Sequence, residues 1–355
     1  MYQLNEKLRD LVPYEPNEGA YAIRLDANES FLQLPEHIRA EILENALSAE
    51  MNRYPDPTAK RLCAAFAARY GVPVGCVAAG NGSDELISIL LQSFLMKGET
   101  FATLAPDFSM YSFYGHLAEC KHVEIKKEEN FEADIDKIIE ICNNECVKLL
   151  IFSNPCNPTG RCIPAGEIRR LVKSVSALVV LDEAYMDFYD QSLLGECTEY
   201  SNLLILRTCS KAFGMAALRV GFAVGNETLI RAVKAAKSPY NVNTVSQQAA
   251  QAVLQHTAEC DGAIRQIIDS RKSLQSGLEA LAERNPVLQV IPSTVNFVTV
   301  LSEQAGEIFR FLLDAGIAVR YFAGLSALRI TAGTDEENAA VLAAVEQYFT
   351  GGHAK

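Results

Sequence analysis

Seven short apolar segments alternate with helical patterns between residues 76 and 224, and this alternation constrains the fold more than any other feature of the chain. Short, continuous apolar segments suit strands that are buried on both faces of a sheet, whereas the intervening segments repeat apolar residues at intervals of three and four. Strands that alternate with helices form layered α/β domains. We therefore predict an α/β domain with a mostly parallel sheet, whose seven strands lie at 76–79, 101–105, 122–125, 149–153, 178–181, 203–207 and 221–224.

The pattern changes after residue 243. A long helical region at 246–284 is followed by shorter strands and by a final helix at 335–349. This order predicts a second, smaller α+β domain. We expect the larger domain to cover residues 31–243 and the smaller domain to cover residues 244–355.

A lysine and an arginine follow the sixth predicted strand, in the stretch RTCSKAFGMAALR at 207–219. Burial at the edge of a sheet lowers the pKa of a lysine, and a neutral amine is a nucleophile toward aldehydes. Lys211 is therefore a candidate for Schiff-base chemistry. The alternative is a solvated lysine at the rim of the sheet.

Two further strands end in polar residues. The strand at 178–181 is followed directly by Asp182, at the carboxyl end where open parallel sheets bind ligands. A carboxylate there could also cap a helix or bind magnesium in a nucleotide hydrolase, but the chain contains no GxxxxGK[ST] loop. The strand at 149–153 leads into the loop SNPCNPTG, whose two prolines restrict the backbone around Asn157. An ordinary strand-to-helix turn is the alternative for this loop.

The segment CVAAGNGSDEL at 76–86 predicts a strand, a glycine turn and a helix that begins near Ser83. The free amides at a helix amino terminus bind phosphate, and Gly82 would allow a close approach. The segment is not a dinucleotide fingerprint, because Glu85 stands where the third glycine would be. Pyridoxal 5'-phosphate is the cofactor that needs such a phosphate site together with an amine, a carboxylate, an amide and a guanidinium: Lys211, Asp182, Asn157 and Arg219.

The order of the motifs GNGSDE, SNPCNPTG, LDEAY and SKAFGMAALRVG resembles that in the fold-type I pyridoxal-phosphate aminotransferases of classes I and II, over roughly the whole chain. Five further segments are more similar to the histidinol-phosphate aminotransferases within that superfamily: LVPY, LDANE, RYPD, SPYNVN and LRITAGT. The resemblance implies that residues 1–30 form an arm that packs with the smaller domain.

The resemblance also implies catalytic roles. Lys211 would hold the cofactor as a Schiff base and then transfer protons as general acid and base. Asp182 would keep the pyridine nitrogen protonated, while Tyr185 and Asn157 would hydrogen-bond the phenolate oxygen. The residues that would bind the cofactor phosphate are Gly82, Ser83, Asp84, Thr208, Ser210 and Arg219.

Other matched positions concern the ring, the partner subunit and the substrate. Phe108 would stack on the cofactor ring, with plain core packing as the alternative. Tyr54 resembles a tyrosine that reaches the cofactor phosphate of a second subunit, which implies a homodimer. Arg329 would bind the terminal anion of the substrate. The resemblance also implies that Tyr14, Asn28 and Arg320 contact the substrate. The segment at 320–329 is shorter than its counterpart in the family, which affects how far Arg320 reaches.

Composition excludes several classes of protein. The net charge of −12 argues against a nucleic-acid partner, which would select a basic surface. The first residues contain no apolar targeting segment and no run of ~18 apolar residues occurs, so we expect a soluble cytoplasmic protein and no membrane partner. The 10 cysteines form no CxxC pair and the 5 histidines form no close group, which predicts free thiols and no metal site.

Three functions stay open on the sequence alone. The resemblance favours an aminotransferase that moves an amino group between a small-molecule donor, histidinol phosphate, and a 2-oxo acid acceptor, 2-oxoglutarate. Aromatic amino acids are a close alternative as donors. A lyase such as threonine-phosphate decarboxylase would use the same lysine, aspartate and phosphate site, and a non-catalytic sensor is disfavoured because no cofactor residue is missing.

Overall fold

A computed structural model describes residues 2–9, 11 and 19–351. Within these residues the strands are β1 (Ile23–Arg24), β2 (Val77–Gly80), β3 (Thr100–Ala105), β4 (Lys121–Lys126), β5 (Leu149–Ser153), β6 (Leu178–Asp182), β7 (Leu203–Thr208), β8 (Gly221–Gly225), β9 (Gln289–Ile291), β10 (Phe297–Leu301), β11 (Ile317–Ala318), β12 (Arg320–Phe322) and β13 (Ala327–Thr331).

The helices of the same residues are α1 (Glu6–Arg9), α2 (Glu36–Ser48), α3 (Lys60–Tyr70), α4 (Ser83–Ser93), α5 (Met110–Leu117), α6 (Ile135–Asn144), α7 (Ala165–Ser174), α8 (Glu227–Ala236), α9 (Thr244–Gln255), α10 (Thr257–Arg284), α11 (Ala305–Asp314) and α12 (Asp335–Thr350). Among the described residues, no helix is both long enough and apolar enough to span a bilayer.

Seven strands form the large sheet in the order β2–β8–β7–β6–β5–β3–β4. Strand β8 runs antiparallel to β2 and β7, and all other neighbours in this sheet are parallel. The predicted α/β fold with a mostly parallel seven-stranded sheet is confirmed. Because β5 and β7 are buried along their whole length, the apolar segments that encode them are continuous rather than alternating.

Helices cover both faces of this sheet. Successive side chains of a strand point to opposite faces, so Val179 and Leu203 enter one core while Val180 and Leu204 enter the other. The covering helices place apolar residues on one side only, as α7 does with buried residues three and four positions apart. The polar residues that end β5, β6 and β7 lie at the carboxyl edge of the sheet, where open parallel sheets bind ligands.

A four-stranded antiparallel sheet, in the order β12–β13–β10–β9, forms a second core with α11, α12 and the end of α10. Strand β1 pairs in parallel with β11, which attaches the segment around residue 24 to this part of the molecule. Helix α12 begins with a capping box, in which Thr334 and Glu337 each bond the backbone of the other.

The helical region predicted at 246–284 consists of two helices that meet at His256, where ψ is 62°. Buried residues of α9, such as Ala250 and Val253, belong to the core of the large sheet. Helix α10 contributes Ile267 to that core and Leu278 to the core of the smaller sheet. The two cores therefore meet along α10, beyond the expected limit at residue 244, and the domain limits 1–30, 31–243 and 244–355 stay predictions.

Candidate active site

The candidate polar residues lie at one edge of the large sheet, at the carboxyl ends of three parallel strands. Strands β5, β6 and β7 lie side by side; Asp182 is the last residue of β6, and Asn157 and Lys211 lie in the loops that follow β5 and β7. Because parallel strands end at the same edge, residues that are far apart in the sequence converge there. The site is built on this edge and completed by segments from the arm and from the smaller sheet.

Lys211 lies in the turn after β7 and points toward the arm. Its Nζ donates a hydrogen bond of 2.9 Å to the carbonyl oxygen of Ala27. Burial, helped by the positive charge of Arg329, lowers the pKa of Lys211 to about 8. A larger fraction of this amine is therefore neutral near physiological pH than for a solvated lysine, which is the form that attacks a carbonyl carbon.

Asp182 ends β6 and is 4% exposed. One carboxylate oxygen accepts a hydrogen bond of 2.8 Å from the hydroxyl of Tyr111, and the other accepts one of 3.1 Å from the amide of Ala184. Burial raises the pKa of Asp182 to about 6, although both hydrogen bonds oppose the shift. A cationic partner at this carboxylate would favour the ionised form.

Tyr185 and Asn28 form a direct contact between the segment that follows β6 and the segment that follows β1. The side-chain amide of Asn28 donates a hydrogen bond of 2.8 Å to the hydroxyl of Tyr185, and burial raises the pKa of this tyrosine. Asn28 has a φ of 53°, in the left-handed region that asparagine tolerates better than most residues. Thr331 of β13 holds Asn28 in this conformation. The hydroxyl of Thr331 accepts a hydrogen bond from the backbone amide of Asn28 and donates one to Asn28 Oδ1.

Arg329 joins the smaller sheet to the edge of the large sheet. Its guanidinium donates hydrogen bonds of 2.6 Å to Asn157 Oδ1 and of 2.6 Å to the carbonyl oxygen of Asp26. Arg320 is the register partner of Arg329 in the antiparallel pair β12–β13. Residues directly opposite each other in such a pair project from the same face of the sheet, so the two arginines lie side by side.

A cup for an anion lies beside Lys211. The amino terminus of α4 begins at Ser83, and Gly82, with a φ of 85°, leads into it. A Cβ atom on Gly221 would lie 2.3 Å from the amide nitrogen of Ser83, so the backbone requires glycine there. At Gly82 the positive φ favours glycine, and a Cβ atom would lie 2.8 Å from Nη2 of Arg219. The helix amides and the guanidinium therefore face the same space.

Two hydroxyl groups line the same cup. Thr208 donates a hydrogen bond of 3.0 Å to Ser210, and Arg219 donates one of 3.3 Å to the Ser210 hydroxyl oxygen. Asp84 contributes its backbone to the first turn of α4, while its side chain accepts a hydrogen bond of 2.8 Å from Tyr114. Backbone amides, hydroxyls and a guanidinium together match the acceptor oxygens of a phosphate.

The other predicted site residues differ in how they are placed. Phe108 is half-buried and packs edge-to-face on Tyr111, with ring centroids 5.6 Å apart. Tyr54 is 80% exposed and stacks on Tyr240, so this chain does not bring it to its own cup. Tyr14 lies outside the described residues.

The sequence interpretation missed Tyr111, which contacts Asp182 directly. Tyr111 is three residues after Phe108, which places both side chains on the same side of the turn that opens α5. The segment APDFSMY already contained this spacing. The carbonyl groups of Asp26 and Ala27 were also missed, because backbone acceptors have no signature in the sequence.

Comparisons with known proteins agree with this architecture. The family model described as aminotransferase class I and II matches residues 21–345. A histidinol-phosphate aminotransferase of Clostridium novyi (strain NT) is 41% identical over 338 residues, which cover 94% of each chain. Another, of Thermococcus kodakarensis, is 37% identical over 347 residues and covers 97% of this chain and 98% of the relative.

Two solved structures share the fold. The histidinol-phosphate aminotransferase from Sinorhizobium meliloti, in complex with pyridoxal-5'-phosphate, superposes with a TM-score of 0.89 at 22% identity, covering 99% of this chain and 98% of that one. The histidinol-phosphate aminotransferase from Clostridium acetobutylicum gives a TM-score of 0.84 at 24% identity, covering 93% and 99%. With the family match over nearly the whole length, this chain belongs to the class I and II aminotransferases.

Proposed function

We propose that this chain is a pyridoxal-phosphate-dependent histidinol-phosphate aminotransferase of histidine biosynthesis, with 2-oxoglutarate as the amino acceptor. The observation that carries the proposal is the convergence of Lys211 and Asp182 at one sheet edge with the adjacent pair Arg320 and Arg329. The naming of the Clostridium and Thermococcus relatives supports the choice of substrate.

The residues at the edge fit the cofactor. The cup of α4 amides, Thr208, Ser210 and Arg219 would hold its phosphate, and Asp182 would face its ring nitrogen. When bound, pyridoxal phosphate supplies a carbonyl carbon for amines and a ring that accepts an electron pair. Phe108 would cover one face of the ring.

Lys211 is the group that would move protons. With a pKa of about 8, its Nζ can accept a proton from the substrate carbon and return one during the same turnover. The carbonyl of Ala27, 2.9 Å away, holds Nζ in place before substrate arrives. Tyr185, oriented by Asn28, and Asn157, oriented by Arg329, would donate hydrogen bonds to an oxyanion between them.

Asp182 supplies the charge at the other end of the site. In its ionised form it would stabilise a protonated ring nitrogen, and the hydroxyl of Tyr111 favours that form by donating to the carboxylate. Tyr111 is therefore a positioning residue that acts through Asp182.

Both arginines of the β12–β13 pair would bind the substrate anion. Glutamate presents a carboxylate and histidinol phosphate presents a phosphate, so one guanidinium must serve both in turn. Arg329 is proposed for that shared role, because it is the arginine bonded to Asn157. Arg320, on the same face, would add a second cation for the phosphate.

A homodimer in the cytoplasm is the proposed state of the enzyme. Several large apolar side chains of one region are exposed in the single chain, among them Leu47, Met51 and Tyr54 at 88%, 74% and 80%. Such side chains favour burial in an interface between subunits. Tyr54 would then reach the phosphate cup of the partner subunit.

The direct test measures glutamate formed from histidinol phosphate and 2-oxoglutarate by the purified protein. We expect turnover, and we expect Lys211→Ala to lose it together with the visible absorbance that borohydride fixes to Lys211. Lys272→Ala, at an exposed lysine of α10, is the matched control and should retain both.

Preference for phenylalanine or tyrosine as donor would favour the aromatic aminotransferase, and carbon dioxide release from threonine phosphate would favour the lyase. A protein that remains colourless with added pyridoxal phosphate would refute all three.

A further inference from the structure

Two histidines and two glutamates meet at the surface where α2 packs against the junction of α9 and α10. His37 and Glu41 lie one turn apart on α2. His256 occupies the break between α9 and α10, and Glu259 lies in the first turn of α10. The cluster belongs to none of the elements that form the candidate active site, and two of its members in contact, Glu41 and His256, are 215 positions apart in the sequence.

Three donor atoms of this cluster lie close to the separations of a metal site. Nε2 of His37 lies 3.4 Å from Oε1 of Glu259, and Nδ1 of His256 lies 3.7 Å from the same oxygen. One ligand atom from each of the three residues lies within 4.8 Å of the other two. Zinc–ligand bonds of about 2.0–2.1 Å in a tetrahedron place donor atoms roughly 3.4 Å apart, so small side-chain rotations would suffice.

The second nitrogen of His256 has the partner that a metal-binding histidine needs. Its Nε2 lies 2.8 Å from Oε2 of Glu41, within hydrogen-bond distance. If Nε2 carries the proton and donates it to this carboxylate, the lone pair of Nδ1 faces Glu259. Carboxylate–histidine contacts of this kind fix the tautomer and the ring orientation at metal sites.

We propose that His37, His256 and Glu259 bind one zinc ion, with water as the fourth ligand and Glu41 as a positioning residue. Two imidazoles and one carboxylate are a donor set that zinc accepts in tetrahedral geometry. The side chains of His37 and Glu259 are 59% and 38% exposed, which gives the ion a path from solvent. The ion would link α2 to the start of α10 and so stabilise the folded protein.

The same contacts also fit a simpler arrangement, in which the histidines form only weak surface ion pairs with the glutamates. Exposed pairs of this type contribute little to stability and need no ion. The two arrangements differ in a measurable way, because ion pairs bind no zinc with defined stoichiometry and are not sensitive to chelators.

Calorimetric titration of the chelator-treated holoenzyme with zinc chloride tests the proposal. We expect one zinc ion per chain, retained through gel filtration and measured by elemental analysis. His37→Gln and His256→Gln should each weaken binding by at least about tenfold, and Glu41→Gln by about tenfold to a hundredfold although it removes no ligand. His116→Gln, at an exposed histidine of α5, is the matched control and should bind zinc as the wild type does.

A second measurement identifies the donors. Cobalt(II) at the site should show the strong visible bands of tetrahedral coordination without a thiolate charge-transfer band. Zinc should raise the unfolding temperature of the wild type and of His116→Gln, but not that of the His37→Gln/His256→Gln double variant. Without zinc, all three proteins should unfold at the same temperature and keep their aminotransferase activity. Absence of stoichiometric binding overturns the proposal. Undiminished binding by the double variant also overturns it and assigns the ion to other donors, such as the free cysteines.

Discussion

Replacing Asp182 by asparagine should remove a loss of stability that the apoprotein otherwise shows as the pH rises, and it should also remove activity. Asp182 is buried, and its pKa is raised from the ordinary value of 3.8 to about 6. The unfolded chain therefore ionises this carboxyl at lower pH than the folded chain does. The contribution of the carboxyl to stability is fully present below pH 3.8 and is lost as the pH rises through about 6.

The size of the effect follows from the shift. A difference of about 2 pKa units corresponds to ~3 kcal/mol at high pH, and roughly half of this loss, ~1.4 kcal/mol, falls between about pH 5 and about pH 8. Asparagine cannot ionise, so the Asp182→Asn apoprotein should lack that part of the pH dependence. Asparagine has one acceptor oxygen in place of two and therefore loses the hydrogen bond from Tyr111 or from Ala184, but this cost is the same at both pH values and cancels in the difference.

Urea unfolding of the apoprotein at the two pH values, followed by circular dichroism because the chain has no tryptophan, measures the difference. Asp269→Asn, at an exposed carboxylate of α10, is the matched control. The holoprotein of the wild type should lose less stability with rising pH than its apoprotein, because a cationic ring nitrogen would favour the ionised carboxylate. If wild type and Asp182→Asn apoproteins lose stability in parallel between these pH values, the burial argument is wrong.

Three other experiments test the remaining roles. Arg329→Ala should lower kcat/KM roughly tenfold to a hundredfold with both glutamate and histidinol phosphate. Arg320→Ala should lower kcat/KM mainly with histidinol phosphate, and equal losses with the two substrates would contradict a phosphate-specific role. Tyr111→Phe removes a bond that lowers the pKa of Asp182, so the acid limb of the kcat/KM profile should move up by ~1 pH unit, and an unchanged limb would separate Tyr111 from the reaction. Mixed dimers of Tyr54→Phe and Lys211→Ala subunits should exceed both parents in activity after proven subunit exchange, and no rescue would place Tyr54 outside the partner's site.

The large sheet could be predicted because its strands are both apolar and short. Strand β5 begins and ends at the predicted residues, and β6 and β7 each extend one residue further. Polar residues directly after such strands must lie at the carboxyl edge, which is why Asn157, Asp182 and Lys211 could be recognised together. The strand order and the antiparallel direction of β8 could not be obtained in this way, since periodicity reports burial and not which strands are neighbours.

Contacts between distant segments account for most of what the sequence did not reveal. The hydrogen bond from Asn28 to Tyr185 joins residues 157 positions apart, and the contact between His256 and Glu41 joins residues 215 positions apart. Neither residue of such a pair has a local pattern that points to the other. The helix break at His256 was also hidden, because apolar residues continue at helical spacing on both sides of it.

Lys211 and Asp182, the two ionisable groups at the sheet edge, each lower the stability of the apoprotein when they are charged. Burial makes the charged form of Lys211 unfavourable and so lowers its pKa, and burial makes the charged form of Asp182 unfavourable and so raises its pKa. A ligand that bonds covalently to the amine and places a cation beside the carboxylate would remove both penalties at once. Its phosphate would in addition offset the positive charge of Arg219 in the cup. Cofactor binding should therefore stabilise the protein by more than the hydrogen bonds of the cofactor alone would provide. The shifted pKa values of Lys211 and Asp182 favour a ligand that has a carbon reactive toward the amine, a cation for the carboxylate and a phosphate for the cup.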